Sequence, residues 1–292
     1  MVFKRVIKRL KIYGDLILVG HTLFSLPFAL SAMLFAAKGF PGFKTLILVI
    51  LAFTGARNGA NALNRLIDKD IDARNPRTAE RHLPKGIVSP FEVLMLTGFF
   101  FVMLVVSAAF LNPLCVKLLP VAIVLFIVYS YTKRFTWTCH LILGFISGGA
   151  SVGGWIAVTG RIEWPSLVLA AANAAWVAGF DVIYATLDVD FDRKEGLRSI
   201  PETFGIPFAL LASSLLHIAT IVILVYAGIL IGAGYFFYIG VAFLAVLFTI
   251  EHRTVSPENL SGVHLASYTM NQIVGVVFLL FNVLDVFTRW GR

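Results

Sequence analysis

The chain is dominated by long apolar runs that are separated by short polar segments. Nine such runs lie at about residues 15–37, 43–66, 92–111, 114–132, 138–158, 165–187, 207–228, 233–250 and 263–287. Each is close to the roughly 20 residues that a helix needs to cross a bilayer. With 59% hydrophobic and only 14% charged residues, the composition excludes an ordinary soluble domain. The sequence therefore predicts a single all-α integral membrane domain over residues 1–292, with nine transmembrane helices.

The net charge is +8, and the cations lie in short loops between the apolar runs. This placement is typical of membrane topology and argues against a nucleic-acid partner. If the N-terminus is cytoplasmic, the inside segments hold 17 Lys and Arg residues and the outside segments hold six. The difference predicts a multi-pass protein of the cell (inner) membrane with a cytoplasmic N-terminus and an external C-terminus. The bilayer is the expected partner, and no obligate protein partner is predicted.

A row of oxygen-bearing side chains ends the second apolar run. Asn64, Asp68 and Asp72 stand at i, i+4 and i+8, which places them on one face of a helix. Arg57 lies seven residues before Asn64, on much the same face and inside the apolar run. An intramembrane arginine is a functional candidate by default, and a structural ion pair is the alternative. The loop that follows carries the cations Arg77, Arg81 and Lys85.

A second acidic stretch follows the sixth apolar run. Asp181, Asp188 and Asp192 stand at i, i+7 and i+11, again on one helical face, with Lys194 and Arg198 just beyond. Seven of the nine aspartates of the chain fall in these two stretches. A cluster of carboxylates repels itself unless cations compensate. The predicted topology places both stretches in polar caps at the cytoplasmic face, where they can share one site.

The oxygen donors of the two stretches match the chemistry of magnesium. Mg²⁺ takes carboxylate and amide oxygens, keeps waters, and is often completed by substrate phosphates. We therefore expect each stretch to hold one Mg²⁺ that bridges to a diphosphate. The expected metal ligands are Asn64, Asp68, Asp72, Asp181, Asp188 and Asp192. The expected diphosphate-binding cations are Arg77, Arg81, Lys133, Arg134, Lys194 and Arg198. For a single acidic row, the alternative to metal binding is a set of solvated ion pairs. The same alternative applies to a functional role of Asp70 and Asp190, which point away from the main faces.

These residues resemble the two signatures of the UbiA superfamily of intramembrane prenyltransferases. N-x-x-x-D-x-x-x-D followed by R-T-x-x-R-x-L-P-x-G begins here at Asn64, and D-x-x-Y-x-x-x-D-x-x-x-D-x-x-x-G runs from Asp181 to Gly196. The segment that ends at Lys133 and Arg134 resembles the Y-x-x-x-K-R element of the family, counted from Tyr129 or Tyr131. The resemblance implies helices around a central cavity that opens to lipid. It also implies a polyprenyl diphosphate donor, an aromatic acceptor and two Mg²⁺ ions held by the aspartate motifs.

The resemblance further implies a reaction and residue roles. The prenyl diphosphate ionises with help from Mg²⁺, and the allylic cation substitutes a 4-hydroxybenzoate-type ring, in quinone biosynthesis. The expected catalytic residues are Asp68, Asp188 and Asp190, with Asp188 or Asp190 as the base for the ring proton. Arg57 is associated in such members with the acceptor carboxylate. The acceptor side is completed by Tyr131 and Tyr184, which are also expected to stabilise the allylic cation.

Departures from the family pattern leave the acceptor open. Arg65 stands where the familiar first motif has an aspartate, and Ile200 replaces a threonine of the second loop. Residues 21–28 resemble a branch found in organisms that make menaquinone by the futalosine route. The alternative acceptors are a naphthoate, homogentisate, a glycerol phosphate lipid or haem. The rival class is a cation-coupled transporter, which predicts acidic residues near the bilayer midplane and broken helices; here the acids gather beside a basic loop.

The fifth apolar run contains the small-residue series Gly144, Gly148, Gly149, Gly153 and Gly154. Because the series lies in the middle of a predicted span, it does not form a phosphate-binding loop. Small residues let helix backbones approach closely in membranes. The series therefore predicts close helix packing.

Overall fold

A computed structural model describes residues 2–17 and 22–291, and no strand occurs within them. A 3₁₀ turn (Thr186–Asp188) follows α8, and a π-helical turn (Leu265–Met270) precedes α13. The helices are α1 (Val2–Leu16), α2 (Thr22–Ala37), α3 (Phe43–Ile67), α4 (Lys69–Arg74), α5 (Pro90–Leu111), α6 (Pro113–Thr132), α7 (Cys139–Thr159), α8 (Trp164–Ala185), α9 (Val189–Glu195), α10 (Ile200–Phe204), α11 (Ile206–Ile231), α12 (Tyr235–Arg253) and α13 (Asn271–Trp290).

Eight helical segments of the described chain are long and apolar enough to cross a membrane. They contain α3, α5, α6, α7, α8, α11, α12 and α13. The predicted all-α membrane fold is therefore confirmed. The boundaries of the segments agree with the predicted runs to within about three residues, except that the segment containing α8 continues to Glu195, beyond the predicted end at residue 187.

The first predicted run, 15–37, is divided in the structure. Helix α1 ends at Leu16 and α2 begins at Thr22, and residues 18–21 lie outside the described part. Leu16 and Ile17 pack with Leu83 and Val88 beside the polar loop, so this end of the run belongs to α1. Helix α2 has 16 residues, about 24 Å at the α-helical rise. This described part of the helix is shorter than the predicted run and than the roughly 30 Å hydrocarbon core.

Local sequence signals explain where two of the spans begin. Ser89 accepts a hydrogen bond from the Glu92 N–H, the Glu92 side chain accepts one from the Ser89 N–H, and Pro90 takes the first helical position of α5. Asn112 caps α6 in a related way, because its side chain accepts hydrogen bonds from the N–H groups of residues 114 and 115. The Asn112 cap also separates α5 from α6 with a single residue.

Helix α8 is the most enclosed span and packs against α2, α7 and α11. Trp176 of α8 is fully buried and stacks on Phe28 of α2 with ring centroids 5.0 Å apart. Phe28 in turn stacks on Phe278 of α13 at 4.3 Å. Aromatic pairs of this kind contribute about 0.5–1.5 kcal/mol beyond their buried area. This stack fixes the position of α8, which carries the second acidic motif at its end.

The glycine series of α7 contacts two different neighbours. A Cβ at Gly144 or Gly148 would lie 2.3 or 2.5 Å from a backbone carbonyl oxygen of α8, and one at Gly154 would lie 2.0 Å from the Ala29 carbonyl oxygen of α2. The prediction of close packing is confirmed for these three positions. It is wrong for Gly149 and Gly153, which have nothing within 4 Å of a Cβ. These two glycines occupy other faces of α7, away from α2 and α8.

A buried polar network centred on Asn271, the first residue of α13, joins α8, α11, α12 and the π-helical turn. Trp176 Nε1 donates to Asn271 Oδ1 at 2.6 Å, and Asn271 Nδ2 donates to the Ala266 carbonyl at 2.8 Å and to Glu251 Oε1 at 3.3 Å. His217 lies beside Glu251, at 4.0 Å from its Oε2 atom. Because Asn271 bonds back to Ala266 across the turn, it satisfies a carbonyl that the π-helical geometry displaces.

Candidate active site

The first acidic motif lies where α3 gives way to α4. Asp68 occupies the junction, with φ −94° and ψ 6°, so the predicted row is interrupted there rather than carried by one continuous helix. Its carboxylate is buried, with 3% of the residue exposed. Asn64 Nδ2 donates to Asp68 Oδ2 at 3.2 Å. Lys133 Nζ lies 2.6 Å from Oδ2 and Arg134 Nη2 lies 3.2 Å from Oδ1. Two cations of the segment after α6 therefore contact the Asp68 carboxylate at the junction of α3 and α4.

Asp72, one turn further on, is held by the loop that follows. Arg81 Nη1 donates to both Asp72 carboxylate oxygens at 2.8 Å, and Arg65 Nη1 lies 3.8 Å from Oδ2. Thr78 Oγ1 donates to the Asp72 carbonyl at 2.9 Å. The loop is therefore folded back over α4. Arg65, the residue that departs from the family pattern, adds a cation to the same carboxylate.

The second motif is joined directly to this loop. Asp188 Oδ1 accepts hydrogen bonds from Asn75 Nδ2 and Arg77 Nε, both at 2.9 Å, and Arg77 also forms an ion pair with Oδ2. Arg77 donates to the Tyr184 hydroxyl as well, and its guanidinium lies 4.8 Å from the centre of the Tyr184 ring. The two motifs, 113 residues apart at Asn75 and Asp188, are thus brought together.

The surroundings of Arg77 favour its charged form. Burial alone would lower the pKa of the Arg77 guanidinium, but its hydrogen bond to Asp188 and its contacts with Tyr184 outweigh that effect and raise the pKa above its usual value. Arginine is already protonated throughout the physiological range. Arg77 therefore remains a cation in the site.

Two further contacts tie the second polar segment, residues 186–199, to the rest of the site. Arg74 Nε lies 2.8 Å from Glu195 Oε2, and the Arg198 N–H donates to the Lys133 carbonyl at 2.6 Å. Asp192 Oδ2 accepts a hydrogen bond from Ser199 at 3.0 Å. The structure therefore places most of the predicted cations around the two motifs. Lys194 and Arg198 have exposed side chains with no ion pair to any described residue.

The remaining predicted residues divide between interior and surface. Asp181 Oδ2 lies 2.7 Å from His140 Nδ1. Arg57 interacts electrostatically with Asp181 and with Tyr129, and its Nε atom is buried without a hydrogen-bond partner among the described residues. The Asp70 and Asp190 side chains are exposed and have no ion pair within the described chain. Tyr131 is also exposed, and its ring lies 4.8 Å from the Arg134 guanidinium.

Several contacts of the site were missed by the sequence analysis. Asn75 and Glu195 anchor the polar segments, and Ser199 bonds the last aspartate of the second motif. His140 was not among the predicted site residues, yet it is the partner of Asp181. Its signal was available, because His140 is a lone ionisable side chain at the start of an apolar span. Nothing in the spacing of Asn75 or Ser199 marks them as partners.

The carboxylate and amide oxygens of the two motifs suit Mg²⁺. The described side chains alone do not complete the coordination of a metal ion. Among the described residues, no group of three or more His, Cys, Asp or Glu side chains could hold a metal ion alone. Mg²⁺ is commonly bound by one or two carboxylates, with waters and substrate phosphates as its other ligands. Two separate carboxylate motifs facing a set of cations suit that mode of binding.

Comparison with known proteins agrees with the resemblance noted in the sequence. The UbiA prenyltransferase family matches residues 25–274. The chain therefore belongs to the UbiA prenyltransferase family, and it is a membrane-embedded prenyltransferase. It is 34% identical over 245 residues to the 4-hydroxybenzoate octaprenyltransferase of Vibrio atlanticus, covering 82% of each chain. It is 30% identical over 271 residues to that of Vibrio vulnificus, covering 91% of each.

The fold is also shared with solved structures. The apo structure of a UbiA homologue from Aeropyrum pernix K1 matches with a TM-score of 0.83 and 32% identity, over 91% of this chain and 98% of that one. A UbiA homologue from Archaeoglobus fulgidus, bound to GPP and Mg²⁺, matches with a TM-score of 0.74 and 20% identity, over 94% and 99%. At that identity, the second likeness concerns the fold alone.

Proposed function

We propose that the protein transfers a polyprenyl group from a prenyl diphosphate to an aromatic acceptor of the 4-hydroxybenzoate type, in quinone biosynthesis. The observation that carries this proposal is the pairing of Asp188 with Asn75 and Arg77, which joins the two acidic motifs beside the cations that hold Asp68. The names of the Vibrio relatives support the donor and acceptor classes. The transporter alternative has no comparable support, because the acids are tied to basic polar segments.

The donor diphosphate is proposed to bind between the two motifs. Mg²⁺, held by Asn64, Asp68, Asp72, Asp188 and Asp192, would neutralise the diphosphate and stabilise it as a leaving group. Asp181 was included in this set by the sequence analysis, and its contact with His140 sets it apart from the others. The proposed cations around the phosphates are Arg77, Arg81, Lys133, Arg134, Lys194 and Arg198. They stabilise the charge that gathers on the departing oxygen, and the arginines can bind two phosphate oxygens at once.

Residues of the protein also contribute to the later steps, in which the allylic cation forms and the ring loses its proton. As the allylic carbon–oxygen bond breaks, positive charge develops on the prenyl carbon, and the surrounding apolar helices keep water away from it. The Tyr184 ring lies 4.8 Å from the Arg77 guanidinium. Of the two candidate bases, Asp188 faces the site while Asp190 is exposed on α9, so the geometry favours Asp188 as the group that takes the ring proton.

The acceptor is proposed to carry a carboxylate that binds Arg57. The Arg57 Nε atom is a buried donor without a partner in the described chain, and such a group is well suited to a charged ligand. This favours a hydroxybenzoate or naphthoate over an acceptor without an acid group. The excess of cations in the predicted inside loops supports a cytoplasmic active site, a cytoplasmic N-terminus and an external C-terminus.

The test is diphosphate release by the purified protein in lipid nanodiscs. With a prenyl diphosphate and a panel of carboxylated and uncharged aromatic acceptors, we expect acceptor-dependent release that is abolished by EDTA and restored by Mg²⁺. The prenyl diphosphate substrate itself binds Mg²⁺. The metal requirement is therefore measured by titrating Mg²⁺ while the concentration of free prenyl diphosphate is held constant. Release that persists in EDTA, or cation flux in proteoliposomes without prenyl transfer, would contradict the proposal.

A further inference from the structure

Arg65 is a cation of the site that the reaction proposed above does not use. It follows Asn64 directly in α3, at the position where the familiar first motif of the family has an aspartate. Only 12% of its side chain is exposed. The substitution therefore reverses the sign of the charge at a largely enclosed position of the first motif, and an anionic ligand nearby would respond to that change.

The protein holds the Arg65 guanidinium loosely. Its Nη1 atom lies 3.8 Å from Asp72 Oδ2, which is beyond hydrogen-bond distance, while both Asp72 oxygens accept hydrogen bonds from Arg81 at 2.8 Å. The Arg65 side chain donates no hydrogen bond to any described residue, and unlike Arg57 Nε its nitrogen atoms keep some exposure. A guanidinium has five N–H donors. Those of Arg65 are thus available to a ligand.

The neighbours of Arg65 place it between the two acidic motifs. It interacts electrostatically with Arg81 and Arg77. Arg81 pairs with Asp72 of the first motif, and Arg77 pairs with Asp188 of the second. The three guanidinium groups therefore share the carboxylates of Asp72 and Asp188. The positive charge that remains favours an anion that enters between the motifs.

We infer that Arg65 binds a phosphate oxygen of the prenyl diphosphate directly, and that this contact requires no metal ion. The inference rests on the proposed function and adds a phosphate contact to the cations assigned there. A guanidinium can present two parallel N–H groups to a phosphate. Arg65 then supplies positive charge to the diphosphate at the position where the family pattern has an acidic side chain.

A role through Asp72 is the alternative, and binding without metal separates the two roles. The probe is geranyl thiolodiphosphate, an unreactive analogue of the donor, and its affinity for the protein in nanodiscs is measured by calorimetry in EDTA and in Mg²⁺. A direct contact acts in both conditions. If Arg65 only oriented Asp72 as a metal ligand, its removal would weaken binding in Mg²⁺ and leave binding in EDTA unchanged.

Arg65→Gln removes the charge and keeps a polar side chain. We expect it to weaken thiolodiphosphate binding in EDTA by about 10- to 150-fold, the range of a hydrogen bond between charged groups. The loss in Mg²⁺ should be smaller, because the metal then shares the charge of the diphosphate. Arg65→Lys keeps the charge without the planar guanidinium and should lose less. The unfolding temperature should change little, since a loose ion pair contributes little stability.

Lys69→Gln is the matched control. Lys69 lies four residues from Arg65, and its side chain is exposed and has no ion pair within the described chain. The substitution removes the same charge from the same part of the molecule. We expect thiolodiphosphate affinity to change by less than about twofold in EDTA and in Mg²⁺.

Three results would overturn the inference. The first is wild-type protein that binds the thiolodiphosphate only when Mg²⁺ is present. The second is an unchanged affinity of Arg65→Gln in EDTA. If Arg65→Gln does not fold, affinity for the thiolodiphosphate in EDTA that is equal in Arg65→Lys and wild-type protein has the same meaning. The third is an equal loss in Lys69→Gln, which would show a long-range charge effect.

Failure of the proposed function is distinguishable from failure of this inference. It appears as the absence of acceptor-dependent diphosphate release by wild-type protein. Failure of the inference appears in the thiolodiphosphate affinities of wild-type protein and the variants, while wild-type turnover remains normal.

Discussion

Removing either Asp68 or Asp188 is expected to reduce prenyl transfer by at least about 10²- to 10³-fold in kcat, the scale on which preorganised charge stabilisation acts. Each carboxylate belongs to a different motif, and each is surrounded by cations that we assign to the diphosphate. Loss of one leaves the leaving group with incomplete metal and charge stabilisation. Steady-state kinetics of the Asp68→Ala and Asp188→Ala variants measure the effect, with Asp68→Asn and Asp188→Asn as variants that keep the side-chain shape.

Asp70→Ala is the matched control. Asp70 lies two residues from Asp68, but its side chain is exposed and has no ion pair within the described chain. We expect a change of less than about twofold, typical of an exposed side chain without partners. Thermal unfolding of all variants shows whether the fold persists. Full activity in Asp68→Ala or Asp188→Ala, or an equal loss in Asp70→Ala, would refute the assignment of the two motifs.

Arg57→Ala is expected to affect the acceptor selectively. A hydrogen bond to a charged group contributes about 1.5–3 kcal/mol, so kcat/KM for a carboxylated acceptor should fall by about 10- to 150-fold. The loss should be small for the corresponding carboxamide, because it has no charge to pair. KM for the prenyl diphosphate should remain within about twofold. The measurement is the kcat/KM ratio for 4-hydroxybenzoate and 4-hydroxybenzamide.

Arg57→Lys provides the control for charge without the planar guanidinium, and an intermediate loss is expected. Because Arg57 Nε has no hydrogen-bond partner in the described chain, its removal breaks no bond at that atom. If the variant lost activity equally toward the acid and the amide, Arg57 would have a structural role instead.

The spacing of polar residues in a span predicted much of the site, because helical periodicity fixes which side chains share a face. It correctly placed the cations of the loop and of Lys133 and Arg134 near the acidic motifs. It could not predict that Asn75 reaches Asp188, since that contact joins segments 113 residues apart and depends on how the loop folds. Asp190 stays a prediction as a catalytic candidate; its side chain is exposed on α9, which the spacing alone could not show.

Most of the fold could also be predicted from the sequence, but part of it could not. Apolar length identifies a spanning helix, because the bilayer core sets the number of residues required. It does not show where a run is divided, and the first run is divided at the junction of α1 and α2. Nor does a glycine series reveal its neighbours. Gly144 and Gly154 lie against different helices, whereas Gly149 lies against none.

The most direct measurement is the crystal or cryo-EM structure of the protein with geranyl thiolodiphosphate and Mn²⁺ in place of Mg²⁺, with Mn²⁺ located by anomalous scattering or density. We expect metal bound to Asp68 in the first motif and to Asp188 in the second, on one shared diphosphate. Metal bound at a single motif, or a diphosphate held away from both, would contradict the convergence of the two motifs on which the proposed reaction depends.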